Sequence, residues 1–561
     1  IFKMVGIKIQ GEFIDLFPGT DLPLELFNPA FLGDNADLIP GSFSYPISVP
    51  ATRKNRRIFE HPDLVTNPLP FLRAEPTELH YDGLFLFPGK LTVQTATPTQ
   101  YRLYIVFSEL TSLKDKTLQE IDLGGDRNVA ASPNDMPAHA EATIQNPLNF
   151  DYCFFPIRNF DFWDGREEDP ATGESKVQNA WDVDAQAFIA SADQLTAMPF
   201  VRLNYLLQQM ISEFGLVLDN QFQNTDELKL IYLYNNFSIC LDTGDWSNVI
   251  NLKNHVNNDT CNAFLRQLCR QFCLAPFKDW YSNEVSLIPL NGLINTPAKH
   301  DWTNKASRNY TRSKDNKYPG MFCYESLDEA FTQFLYTDPP VADDEYATLD
   351  DVPGPPYTPF QVYYITAYGS YWATSGNGTR IVEVWRGIEC METGTGEEEF
   401  LGQLPTTIMN WAGTSGQGNI RGLVPELRQK GSWDQAEEPF YEEFQNRLIF
   451  FRGNYLDRNG KNYPMASNNV YDNEGNQIGD YSLLWKGDHG LYEKWWKEWH
   501  YILENRSEVE FQFRLEVADL YQFSFKDKVR IGGMEYFVKK LSVVLTATGQ
   551  VKATGVLISI T

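Results

Sequence analysis

The sequence predicts a mainly β chain, with small antiparallel β-barrels and a central helix–hairpin α+β domain. Three observations carry this. Alternating apolar–polar runs recur near both ends, separated by turn dipeptides such as Asp82-Gly83, Pro88-Gly89 and Gly532-Gly533. Aromatic residues make up 14% of the chain, and Tyr, Phe and Trp favour strands and large contacts. Only stretches in the middle and near the end switch to the i, i+3, i+4 spacing of a helix face.

The first strands are "IKIQGEFIDLF", turned by "PGTD", and "LPLELF". In "GSFSYPISVPATRKNRRIF" the apolar residues Phe43, Tyr45, Ile47 and Val49 alternate with Ser42, Ser44 and Ser48, interrupted by Pro46 and Pro50. Four cations follow at once: Arg53, Lys54, Arg56 and Arg57. They read as a basic projection after a strand. Next come "LHYDGLFLFPGKLTVQTAT" and "QYRLYIVFSEL", a hairpin pattern, and then a loop-rich stretch over 124–195 with aromatic clusters. Residues 1–195 thus form an N-terminal β-barrel domain with a loop-rich extension.

Residues 196–336 carry the α+β domain. Leu203, Leu206, Leu207, Met210, Ile211 and Phe214 share one helix face, stopped by Gly215. "LKLIYLYNN" reads as a strand. Asp259 or Thr260 caps a second helix bearing Cys261, Phe264, Leu265, Leu268, Cys269 and Phe272, and a hairpin from "LAPFKDW" to "VSLIPL" follows. Residues 337–359, rich in Pro and Asp, read as an exposed loop or linker. Residues 360–561 form a C-terminal β-rich domain with one helix, "GLYEKWWKEWHYILENRS", and distant segments can complete its barrel.

Charge restricts function. The 561 residues hold 47 Lys and Arg against 74 Asp and Glu, a net charge of −27, which argues against a free nucleic-acid binder. Seven scattered cysteines do not form a disulfide framework and point to assembly in a reducing compartment. No apolar run reaches the roughly 18 residues of a membrane-spanning helix.

No catalytic constellation stands out. The His residues are spread singly, and no nucleophile elbow, phosphate-cradling loop or zinc pair is present. Cys261, Cys269 and Cys273 read as core residues. Asp161, Asp164, Glu167, Glu168 and Asp169 read as a solvated acidic loop, and "DNEGN" at Asp472–Asn476 as a hairpin turn. The expectation is a non-enzymatic chain with no cofactor and no metal. A rival reading takes Trp163, Trp181, Trp372, Trp411 and Trp433 as exposed rings for carbohydrate.

Several blocks in order resemble the tail hub (baseplate hub) proteins of tailed phages. They are "DLPLELF" with "SFSYPISVPATRKN"; "YDGLFLFPGKLTVQ" with "QYRLYIVFSEL"; "LNYLLQQMISEFGLVLD" leading to "LKLIYLYNN"; "NAFLRQLCRQFCLAPFKDWYSNEVSLIPL" with "HDWTNKA"; and "GLYEKWWKEW" with "LEVADLYQFSFKDKVRIGGMEYFVKKL". The resemblance implies tail-tube-like barrels and a homotrimeric adaptor in the virion, assembled in the host cytoplasm. Such an adaptor joins tail-tube or distal ring proteins to a spike or fibre, around a lumen that passes DNA. A six-fold distal tail ring, or a carbohydrate-binding or carbohydrate-degrading tail protein, is the alternative. On this reading Phe43, Tyr45, Arg53, Lys54, Arg56 and Arg57 are the inter-subunit docking residues, with the cations set against an acidic neighbour.

Overall fold

The computed structural model describes residues 5–31, 42–66, 75–107, 109–159, 162–163, 177–188, 197–239, 246–279, 281–314, 322–324, 339–378, 380–385, 399–401, 407–412, 421–427, 431–432, 447–456, 460, 462–472, 474–485, 487–546 and 551–559. The fold is mainly β, in several antiparallel-rich sheets.

The largest sheet has fourteen strands. Its path runs from Glu12–Phe13 through Val5–Ile9, Glu75–Tyr81, Leu84–Ala96, Gln100–Val106 and Phe43–Ser44 to Leu22–Phe27. There it crosses to the other end of the chain. Leu22–Phe27 pairs antiparallel with Met534–Leu545, in a register from Leu22↔Leu545 to Phe27↔Lys540. The path continues through Val551–Ser559 and Ser507–Leu515 to Ala306–Lys314. Alternation sets the faces: along Val5–Ile9, Val5, Ile7 and Ile9 are buried and the residues between them are not.

The expected barrels are not closed. Among the described residues no sheet closes on itself. The physical reason lies in Leu22–Phe27, which is paired on both sides, by Phe43–Ser44 and by Met534–Leu545. The N-terminal and C-terminal strands therefore extend one sheet, where separate barrels would need each set to pair its own first and last strands. Asn28 fastens the same seam. Its buried amide donates to the carbonyls of Phe525 (3.2 Å) and Val538 (2.8 Å).

Turn chemistry is followed at two places and overridden at a third. Asp82-Gly83 and Gly532-Gly533 each link adjacent strands through two residues of positive φ, a type I′ turn. Pro88-Gly89 is no turn: both residues lie inside the strand Leu84–Ala96. Gly89 is there for close approach. A Cβ at this position would stand 2.9 Å from Ile105 Cγ2 and from the Val106 carbonyl.

The central helices are Leu203–Ser212 and Cys261–Gln271, the latter capped by Thr260, whose side chain accepts from the Ala263 N–H. The hairpin Leu274–Lys278 with Glu284–Pro289 follows. Of "LKLIYLYNN" only Ile231–Leu233 is strand, because Thr225 caps a helical turn over Asp226–Lys229. The stretch read as loop-rich contains the helix Met136–Gln145, introduced by Pro133 in a 3-10 turn. Within the Pro/Asp-rich segment, Asp344–Tyr346 is the end strand of an eight-stranded sheet, parallel to Val362–Ile365.

A further sheet includes Ile231–Leu233 and Leu448–Leu456 and carries the buried cation of an ion pair whose carboxylate is partly exposed. Arg452, with its side chain 2% exposed, meets Glu227 from the capped turn at 2.5 Å. No helix among the described residues is long and apolar enough to cross a membrane.

Candidate docking surface

The segment from Ser42 to Ile58 does not follow simple alternation. It forms two short strands, Phe43–Ser44 and Ile47–Pro50, interrupted at Tyr45-Pro46, and then a short helix, Arg53–Ile58. The interruption flips which residues face inward. Ile47 and Val49 are buried as expected, but Ser42 and Ser44 point in and Phe43 and Tyr45 point out. The serines replace missing ladder bonds. Ser44 Oγ accepts from the Ile105 N–H (3.0 Å), and Ser42 Oγ accepts from the Phe27 N–H (3.3 Å).

Outward-facing Phe43 sits in an aromatic cluster. Its ring centroid lies 5.8 Å from Phe27 and 5.9 Å from both Tyr45 and Tyr104. Tyr45, 46% exposed, donates its hydroxyl to Glu25 Oε1 at 3.1 Å. That bond, with the Glu25 charge behind it, raises the Tyr45 pKa. Glu25 is buried and also accepts from Ser542 Oγ (2.9 Å) and Lys540 Nζ (2.8 Å). Lys540 lies 5.3 Å from the Phe27 ring centroid. Sequence reasoning missed Glu25; its signal was a lone carboxylate inside the apolar strand "LPLELF".

The four cations stand on a helix, not on a loop tip. Thr52 is its N-cap, accepting from the Asn55 N–H at 3.1 Å and donating to Asp15 Oδ2 at 2.6 Å. Buried Asn55 fixes the base of the helix, donating to the carbonyls of Asp15 and Pro50 and accepting from the Asp15 N–H, each at 2.8 Å.

The cations divide into two pairs. Arg56 lies 3.2 Å from Asp63 and donates to the Pro98 carbonyl at 2.7 Å. Arg57 pairs with Glu12. These two bind their own chain. Arg53 is exposed and Lys54 partly so, and neither has an ion-pair partner among the described residues. Leu64 is more than half exposed and Val65 fully so, just beyond the helix.

Asp63 gives a pH test of this scaffold. The Tyr101 hydroxyl donates to it at 2.7 Å and, with Arg56 nearby, lowers its pKa below 3.8 against the opposing effect of burial. A lowered carboxylate pKa stabilises the fold above the ordinary value, and the contribution is lost as pH falls through the folded value. Asp63→Asn is therefore expected to lower stability by about 1.5–3 kcal/mol at pH 7, the range for a hydrogen bond to a charged group. The gap from the parent should close in acid. Urea midpoints at pH 7 and pH 3 check this; a gap that persists undiminished at pH 3 refutes it.

Two of the five tryptophans read as exposed, Trp181 and Trp372, are buried. The side chains of Trp163 and Trp411, all of Trp433, and the acidic loop from Asp164 to Asp169 lie outside the described residues, as does Asp161. Asp472 is engaged by its own turn, accepting from the N–H groups of Glu474 (2.9 Å) and Asn476 (2.8 Å). Cys153, Cys261, Cys269 and Cys273 are buried free thiols, and burial pushes the Cys261 thiol up to about 12.

No protein-family model and no curated protein matches the chain. Among solved structures it is similar to the 43 kDa tail protein of prophage MuSo2 from Shewanella oneidensis, at 7% identity and a TM-score of 0.33, covering 99% of this chain and 97% of that one. It is also similar to a tail protein from Neisseria meningitidis MC58, at 8% identity and a TM-score of 0.32, covering 100% and 97%. Scores at this level do not define a shared fold, and the functional reading does not rest on them.

Proposed function

We propose that the chain is a non-enzymatic structural protein of a phage tail, a hub or baseplate adaptor joining the tail tube to a distal spike or fibre. The observation that carries the reading is the order of the hub-like sequence blocks. Two of these blocks, from opposite ends of the chain, supply the paired strands Leu22–Phe27 and Met534–Leu545. The docking surface fits an assembling component. Partly exposed Phe43 and half-exposed Tyr45 lie a few residues before Arg53 and Lys54, which have no ion-pair partner among the described residues, on a chain of net charge −27. Aromatic side chains are enriched in protein interfaces, and opposite charges set register and on-rate. In this reading three copies surround the tail axis, with virion neighbours above and below.

A cryo-EM reconstruction of the intact particle tests the proposal. Density for this chain in a three-fold ring on the tail axis is the expected result. Six copies would turn the reading to a distal tail ring, and a chain located off the axis would overturn it.

A further inference from the structure

We propose that the chain binds a cation on an apolar stem, a primary ammonium or a guanidinium, in a cavity at the C-terminal end of the helix Met136–Gln145. The site is independent of the adaptor reading. The cavity measures about 530 Å³, within the roughly 300–1,000 Å³ usual for small-ligand sites. Its walls are the end of that helix, the residue before the strand Ile231–Leu233, the second half of the strand Leu448–Leu456, and Ile478. Ile144, Leu230, Phe451 and Ile478 make it largely apolar.

The charge it presents is negative. Glu227 lines the cavity with its side chain 22% exposed. Arg452 lines it too, but through its main chain, since the residue is partly exposed while its side chain is 2% exposed. A bulge accounts for the difference. Phe451 pairs with Ala466 and Gly453 with Met465, so Arg452 is the extra residue between them. Its guanidinium turns inward, to Glu227, the Tyr481 carbonyl and the Phe450 ring. The cavity therefore meets the carboxylate of this ion pair and not its cation.

The helix adds charge of the same sign. Its last turn has no basic residue. The Asn146 N–H donates to the Ala142 carbonyl at 3.1 Å, but no donor among the described residues reaches the carbonyls of Ile144 and Gln145. A helix C-terminus carries roughly half a negative elementary charge and favours a cation. Lys229, next to Leu230 in the chain, is tied to Asp226 at 3.0 Å. The other polar side chains of the lining, Gln145 and Asn454, are uncharged amides. A matching occupant has donors at its head and methylenes behind them, the form of a Lys or Arg side chain or of a free aliphatic amine. A carboxylate or phosphate head would meet charge of its own sign.

Saturation-transfer NMR titrations of the purified full-length chain test this with three probes. They are butylamine, N-acetyl-lysine methylamide and N-acetyl-norleucine methylamide, the last lacking the ammonium. The amines should bind saturably and more weakly as salt rises, and the norleucine probe should not bind. Tighter binding of the lysine probe than of butylamine assigns the site to a protein side chain; the reverse assigns it to a free amine. Gln145→Lys puts a cation at the exposed helix end and should weaken amine binding at least about fivefold, the effect of one like charge nearby. Gln145→Ala should keep it, as should Gln512→Lys, the same charge change at an exposed position of the large sheet. All three variants should retain the parent's circular dichroism. Absence of saturable amine binding, equal binding of the norleucine and lysine probes, or undiminished binding by Gln145→Lys would each overturn the site. None of these results bears on where the chain sits in a particle, which the reconstruction decides separately.

Discussion

Glu227→Ala is expected to destabilise the protein by about 3–5 kcal/mol, the range for removing one partner of a buried ion pair. Arg452 cannot reach water: its side chain is 2% exposed and its guanidinium carbon lies 4.2 Å from the Phe450 ring centroid. Its hydrogen bonds go to Glu227 Oε1 at 2.5 Å and to the Tyr481 carbonyl at 2.7 Å. Burial lowers its pKa to about 10 despite the carboxylate, so the charge is held at a net penalty even when paired. Glu227 has a second task. It accepts from the N–H groups of Asp480 (2.9 Å) and Tyr481 (3.1 Å), fixing the loop that covers the pair. Alanine would leave a buried cation and two backbone donors together. Glu227→Gln combined with Arg452→Met removes both charges, and it should lose much less than the single alanine variant. Denaturant midpoints for the three proteins decide the matter. A single-variant loss under about 1 kcal/mol would mean that water reaches Arg452 after all.

Ending the chain at Gly533 is expected to unfold strands more than 400 positions away, at the other end of the molecule. The deletion removes Met534–Leu545 and Val551–Ser559, and with them the buried Leu541, Val543, Leu545, Leu557 and Ile558. Fully burying one such side chain stabilises by about 1.5–3 kcal/mol, so five of them together are comparable to the entire net stability of an ordinary domain, about 5–15 kcal/mol. Leu22–Phe27 would lose one of its two neighbours and Ser507–Leu515 one of its own. Limited proteolysis should cut the truncated chain within residues 5–107 under conditions that spare the parent. If that region stays resistant, the N-terminal strands form a unit independent of the C-terminus. Asn28→Ala is the milder companion. It leaves the carbonyls of Phe525 and Val538 without the donor that joins them, at about 1–3 kcal/mol for each orphaned group.

Much of the fold is legible in local pattern. Alternation in "VGIKI", the capping Thr260 and the Gly532-Gly533 turn each act through neighbours a few residues away. Where the reading failed, a distant group decided. Pro88-Gly89 has turn chemistry, but the glycine is required by Ile105 on the neighbouring strand. Phe43 and Tyr45 share the period-two phase of Ile47 and Val49, yet Pro46 breaks the ladder and two serine hydroxyls take its place. The four cations of the candidate site look equivalent in sequence. Glu12, brought from the first hairpin, and Asp63, from beyond the helix, separate them into a bound pair and a pair with no ion-pair partner among the described residues. The lone carboxylate of Glu25 is visible in the strand, but its role was not, since its partners Lys540 and Ser542 come from the far end of the chain.

The seam between the two ends of the chain also sets a clock. Asn28 and Val538 are 510 positions apart. At about 5–20 residues per second, a ribosome needs on the order of 25–100 s to deliver the second after the first. Throughout that interval Leu22–Phe27 waits on the nascent chain with one side of its backbone bare. Its composition suits the wait. Pro23 offers no N–H to a stranger, and Glu25 places a carboxylate where an unrelated strand would have to bury it. Once Lys540 and Ser542 emerge, that same carboxylate gains the partners it lacked, and the feature that discouraged premature pairing helps to select the correct one.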